Sequence, residues 1–386
     1  TANVQLYKGV TLTRLGKVAE AMLIYRKILE RNPHHFEASF NLGLVLLKQD
    51  KHAEAAPYFE KTITYSGGYN KARAYYSLGI CYKGQGLPHS QKAEQAFLEA
   101  IRLKPDYIRA RFALAALYAK LPEKRSQALH EYQKVLALMP HHPAAYFNIG
   151  VFYEAENQQT DKAIEAYQKA IELEPGYAKA RYNLGLIYLD KKQWENAHSQ
   201  FEAISLHDPA HAKAYFSLGR VAFGRKDYAA ALTQYQKALD LTQGKYAKAL
   251  LNIGLVYKAQ ERYDLAVKAY QAAIAAEHDY APAWNNLALV YMQQQHFAQA
   301  EKAFHKAIRY QPRYEEAWFN LGKLYAQQNQ EDQAIHAYTK AIEIRPDYIR
   351  ANVNLAVRYA KQDKYTDAKR LYQSVLKQDA RHANAW

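Results

Sequence analysis

The sequence predicts an all-α chain, an α-solenoid of stacked antiparallel helix pairs, on three observations. A small residue recurs at Gly9, Gly43, Gly79, Ala115, Gly150, Gly185, Gly219, Gly254, Ala288, Gly322 and Ala356, at spacings of 34 to 36 residues. An alanine follows in every copy, from Ala21, Ala55 and Ala93 to Ala368, with Tyr or Phe four residues beyond it. Within each copy, apolar residues fall three and four apart, which places them on one face of a helix.

The stretch from Ala317 to Tyr348 shows the unit most clearly. Trp318, Leu321, Gly322 and Tyr325 share the core face of a first helix. Ala334, Tyr338 and Ala341 share that of a second, which Pro346 stops because proline lacks an N–H and restricts the residue before it. Gly322 and Ala334 are small where the helices cross, and Tyr338 fills the space beside them. One such hairpin cannot bury both of its faces, so copies must stack on it.

In chain order the repeats fall at about 2–35, 36–71, 72–107, 108–142, 143–177, 178–211, 212–246, 247–280, 281–314, 315–348 and 349–382, and residues 383–386 begin another. A solenoid grows as one quasi-one-dimensional unit, so residues 1–386 are expected to form a single domain. Extra residues at Ser66-Gly67-Gly68, Gln85 to Ser90, Leu121-Pro122, Glu156 to Gln159 and Thr242 to Gly244 are expected in turns, where added length costs little. The chain opens on Thr1 and stops four residues into a new repeat, with Trp386 matching Trp284 and Trp318. That ending predicts a fragment of a longer protein whose uncapped last repeat could self-associate.

This pattern resembles the tetratricopeptide repeat (TPR) family, whose period is about 34 residues and whose signature runs aromatic, Leu-Gly, Tyr, then Ala, aromatic and Pro. The resemblance covers the whole chain. It implies a right-handed superhelix with first helices lining a concave groove and second helices outside. Ser39, Arg111, Arg181 and Asn352 depart from it where the opening aromatic would stand, as do Gly67, Gln243 and His278 near the closing proline.

The formal charge of +15, from 52 Lys and Arg against 37 Asp and Glu, favours acidic partners as a class. It is dispersed, without a run of five or six basic residues, so nucleic acid is a lesser alternative to protein. Cys81 is the only cysteine, which excludes an intrachain disulfide and reads as a buried, inert thiol. The longest apolar stretch, Phe112 to Ala119, is too short to span a bilayer, so a soluble protein is expected, cytoplasmic or, in a bacterium, periplasmic.

Just before the Leu-Gly pair seven copies carry asparagine: Asn41, Asn148, Asn183, Asn252, Asn286, Asn320 and Asn354. A primary amide donates and accepts, so such a row can hold an extended peptide by its backbone. The row is similar to the asparagine ladder in the TPR superhelix of O-linked N-acetylglucosamine transferases; the competing role is bridging between helices. Arg220 and Lys323 interrupt an otherwise apolar row three residues further on, and an aromatic row runs through Phe40, Tyr76, Phe112, Phe147, Tyr182, Phe216 and Phe319. Basic residues lie one turn before the asparagines, at Arg73, Arg109, Lys179, Lys213, Lys248 and Arg350. Together these suit a protein or peptide with apolar and acidic side chains.

No triad order, phosphate-binding glycine loop or metal motif stands out, and the sequence calls for no cofactor. The expectation is a non-enzymatic interaction scaffold that holds an extended segment in its groove. The alternative is the substrate-recruiting part of a larger enzyme such as a glycosyltransferase.

Overall fold

The structure is a computed structural model that describes residues 2–156 and 159–378. It forms two compact units, Thr1–Ile187 and Tyr188–Trp386. Among the described residues there are 22 α-helices and two short 3-10 turns.

The first unit begins with the pairs α1 (Ala2–Arg14) and α2 (Val18–Arg31), α3 (Phe36–Lys48) and α4 (His52–Tyr65), and α5 (Gly68–Gly84) and α6 (Ser90–Leu103). It continues through α7 (Ile108–Tyr118) and α8 (Arg125–Leu138), then α9 (Pro143–Glu154) and α10 (Thr160–Leu173), into α11 (Ala178–Asp190), where the boundary falls. The second unit holds α12 (Trp194–His207), α13 (Ala212–Gly224), α14 (Tyr228–Leu241), α15 (Ala247–Ala259), α16 (Tyr263–Ala276), α17 (Ala281–Gln293) and α18 (Phe297–Tyr310). It ends with α19 (Glu315–Gln327), α20 (Glu331–Ile344), α21 (Ile349–Lys361) and α22 (Tyr365–Gln378). Odd-numbered helices are the first of each pair and are called A helices; even-numbered ones are B helices.

The recurring small residue has a steric cause. A Cβ added to Gly43 would lie 2.9 Å from Phe59 Cε1, and one added to Gly322 would lie 2.7 Å from Tyr338 Cδ1. In both pairs the B-helix ring is fully buried and lies where a side chain on the A helix would have to go. Burying each such ring contributes roughly 1.5–3 kcal/mol, so the A helix forgoes a side chain to let the ring reach the crossing. Cys81 is fully buried on α5, and burial pushes its thiol up to about 12.

Three of the four departures at the opening aromatic, Arg111, Arg181 and Asn352, share one task. Trp284 and Trp318 each donate their indole N–H to the carbonyl six residues back, His278 at 2.9 Å and Pro312 at 3.1 Å. Arg111 Nε reaches Pro105 O at 2.9 Å, Arg181 Nε reaches Pro175 O at 2.6 Å, and Asn352 Nδ2 reaches Pro346 O at 3.0 Å. At these five places a side-chain N–H ties the A helix to the preceding turn, a bond that Trp, Arg and Asn can each make. Ser39 is different: its hydroxyl donates to Tyr58 O on the partner B helix.

The turns follow rules that the residue types conceal. His35, His142 and His211 each accept the N–H of the residue three further on through Nδ1, capping α3, α9 and α13. Such a cap satisfies one of the donors a helix start leaves without a partner. Within the hairpins the turn residue is left-handed: Gly16, Asp50, Lys192, Lys226, Glu261, Gln295, Asn329 and Asp363 all have positive φ.

Two insertions form the 3-10 turns Leu87–His89 and Pro122–Lys124, and Gln243 and Gly244 take positive φ in the turn before α15. The insertion at residues 66–68 behaves otherwise. Gly68 is already the first residue of α5, so the added length extends a helix and leaves Ser66 and Gly67 as the turn. Part of the insertion around residue 158, and the start of a further repeat at 383–386, lie outside the described residues. No described helix is long and apolar enough to cross a membrane.

Candidate functional site

The asparagine row lies on the A helices, and its members are held in three ways. Asn148, Asn286 and Asn354 fold Nδ2 onto the carbonyl four residues back on their own helix, to Ala144, Pro282 and Arg350, at 2.9, 2.9 and 2.8 Å. Each of these amides is thereby oriented, and none of their carbonyl oxygens is buried without a partner. A fixed amide with an open acceptor can take an N–H from a ligand without first losing rotamer freedom.

Asn183 and Asn252 are tied to the preceding repeat. Asn183 Nδ2 donates to the Tyr167 hydroxyl on α10 at 3.0 Å. The Tyr235 hydroxyl on α14 donates to Asn252 Oδ1 at 3.4 Å, while Asn252 Nδ2 reaches Lys248 O at 2.7 Å. Asn320 is 3% exposed and donates to Asn285 Oδ1 on α17 at 3.1 Å. Asn285 stands where the aromatic row would continue, so a buried amide pair fills the place of a ring there. Asn41 is half-buried on α3.

The aromatic row packs against B-helix rings and against the residue that opens the next A helix. Phe147 lies 5.8 Å from Tyr167 and 5.4 Å from Tyr177; Phe216 lies 5.7 Å from Tyr235 and 5.1 Å from Tyr246; Phe319 lies 5.8 Å from Tyr338 and 5.2 Å from Tyr348. The basic row partly covers it. The Arg73 guanidinium sits 4.6 Å from the Phe40 ring and that of Arg350 4.7 Å from Phe319, each one repeat back. A guanidinium in that position gains roughly 0.5–1 kcal/mol from the ring face at an exposed site. Lys179, Lys213 and Lys248 are exposed, and Arg220 is half-buried.

Lys323 belongs to a cleft that the row pattern does not reveal. Lys258, Leu289, Met292, Gln293, Lys323 and Gln327 line it, from α15, α17 and α19. Burial holds the Lys258 ammonium below the usual lysine range; Glu316 opposes this and Lys323 adds to it by repulsion. Two ammonium groups beside two side-chain amides can hold a carboxylate. Lys258 escaped sequence reasoning because it stands one turn beyond the row of Arg220 and Lys323, where other repeats carry Leu47, Phe223 or Met292.

The chain belongs to the tetratricopeptide repeat family. One model of that family matches residues 6–70, 182–247 and 285–349, and further tetratricopeptide models match 72–107, 154–192, 254–295 and 330–386. Among solved structures, yeast Tom70 is similar over 94% of this chain and 90% of its own, at 14% identity and a TM-score of 0.56. A chain of the APC/C hetero-tetramer Cut9–Hcn1 is 16% identical, over 100% of this chain and 89% of its own, with a TM-score of 0.49. MamA is 28% identical over 42% of this chain and 95% of its own, with a TM-score of 0.37. A comparison with curated proteins finds no match. Tetratricopeptide repeats are protein-interaction scaffolds, and the fold of this chain is theirs.

Proposed function

We propose that the A-helix face binds an extended segment of another protein, gripping its backbone through asparagine amides and its carboxylates through flanking lysines. The observation that carries this reading is the fixed orientation of Asn148, Asn286 and Asn354, whose acceptors stay open while their donors are held by their own helix. Asn183, Asn252 and Asn320 fit the second role, bridging to the preceding repeat. Lys179, Lys213, Lys248 and the Lys258–Lys323 cleft supply the preference for acidic side chains.

The two roles separate by mutation. Each amide–backbone bond contributes about 0.5–1.5 kcal/mol net, so Asn148→Ala, Asn286→Ala and Asn354→Ala together should weaken binding at least tenfold with little loss of thermal stability. Asn183→Ala, Asn252→Ala and Asn320→Ala together should lower the melting temperature instead. Ligands selected from a library of extended acidic and apolar peptides, measured by fluorescence anisotropy, provide the readout. Unchanged affinity in the first triple variant would remove the amide track from the binding mechanism.

A further inference from the structure

The second unit carries a cavity of about 590 Å³ on its B-helix side, away from the asparagine row. Its floor is Trp284, Leu287 and Tyr291 of α17, and its walls are Ile274 of α16 and Ala303 of α18. That volume lies within the range of specific ligand pockets. The rim is cationic: Lys302, Lys306 and Arg309 follow at intervals of four and three along α18 and so share one face.

The equivalent stripe in other repeats is built differently. On α10 the corresponding lysine, Lys169, pairs with Glu172 at 2.7 Å, and on α20 Lys340 pairs with Glu343 at 2.7 Å. On α18 the place of that glutamate is taken by Arg309. Among the described residues none of the three α18 cations has a carboxylate partner. The floor is exceptional too. Trp318, the counterpart of Trp284 one repeat on, packs edge-on against His336 at 6.1 Å. Lys302 occupies the position of His336 on α18 and is exposed, so the Trp284 indole, which His278 meets edge-on at 6.0 Å from its other side, also lines the cavity floor.

We propose that this groove is a second docking site, whose occupant is an acidic amphipathic peptide segment of a partner protein. An apolar side chain of that segment enters between α16 and α18 onto Trp284 and Leu287. Its flanking carboxylates meet Lys302, Lys306 and Arg309. Charge selects this occupant over a second copy of the chain, which at +15 would bring net positive charge to three uncompensated cations.

The test uses the whole 386-residue chain and a library of fluorescein-labelled 12-residue peptides, each with a central Leu, Ile, Phe or Trp among glutamates. Matched peptides carry glutamine for every glutamate. Binding is followed by anisotropy and by tryptophan emission, the share of Trp284 among the four tryptophans taken as the difference from Trp284→Phe, with helix content checked by circular dichroism. The expected result is binding by acidic members that shifts the Trp284 signal. The variant K302E/K306E/R309E, altered only on a helix rim, should weaken it at least tenfold. Asn148→Ala, Asn286→Ala and Asn354→Ala together should leave the Trp284 emission change intact while lowering the anisotropy of peptides held by the amide track, which separates the two sites. No binding by any member, equal binding of the glutamine peptides, or full binding to the charge-reversed variant would each overturn the proposal. So would self-association of the native chain that the charge reversal abolishes.

Discussion

Single residues in this chain are chosen for one bond each, and the residue type often hides the bond. His142 caps α9 through an unprotonated Nδ1 and stacks on Phe112 at 5.0 Å. Burial lowers its affinity for a proton below that of an ordinary histidine. The unfolded chain therefore binds more protons than the folded one between the two values, and stability rises with pH there. The contribution is complete above about pH 6.5, the usual histidine value, and is lost as pH falls through the folded one. Protection factors in α9, which correct exchange rates for the intrinsic pH dependence of amide exchange, should fall between pH 7.5 and 5. His142→Asn, which caps without titrating, should flatten that dependence. A variant as acid-sensitive as the parent would place the effect elsewhere. The asparagine row shows the same concealment. Its positions were legible because they sit at fixed distance from the Leu-Gly pair, but which amides are consumed was not. The pairing of Asn320 depends on Asn285, a residue 35 positions away that replaces a ring. That replacement was the available signal.

At the scale of the element, small-residue spacing made the helices legible almost to the residue. α3, α7, α9, α11, α13, α15, α17, α19 and α21 each begin seven residues before the small residue at which A and B helices cross. The turns were less legible. Lys226, Glu261 and Gln295 all adopt the left-handed conformation, with φ of 63°, 59° and 62°, yet none belongs to the residue types that favour it. Hairpin geometry overrides local preference there, at roughly 1–2 kcal/mol for each residue with a Cβ. Replacing all three by glycine should offset more than the 0.5–1 kcal/mol that glycine loses in chain entropy. The expected outcome is a higher midpoint in chemical unfolding, corresponding to about 0.5–1 kcal/mol of unfolding free energy per site; an unchanged or lower midpoint would show that the turns carry no such strain. α5 illustrates the reverse case. Two glycines suggested a longer turn, but Gly68 adopts a φ of 52° and joins the helix.

At the scale of the whole molecule, contacts within each unit run between helices adjacent in sequence and, more weakly, to the next A helix, as α17 does to α19. Stability in such a chain is a sum of local terms and neighbour interfaces. Gly322→Leu would drive a side chain into Tyr338 and overpack one crossing, at a cost of roughly 1–3 kcal/mol or more. Hydrogen exchange should rise in α17 to α22 and stay near normal in α13 and α14. An even loss of protection through the second unit would contradict the local picture.

The position of Cys81 has a kinetic meaning. Its sulfur is fully enclosed, and its acidity is suppressed so far that almost no thiolate exists at neutral pH. A reagent in solution therefore meets no nucleophile while the third repeat is closed. Each time α5 parts from α3 and α4, the sulfur regains water and ordinary acidity at once. The rate at which the only thiol of the chain is alkylated thus reports how much of the time that one hairpin stands open, and the sequence carries its own gauge of the motion.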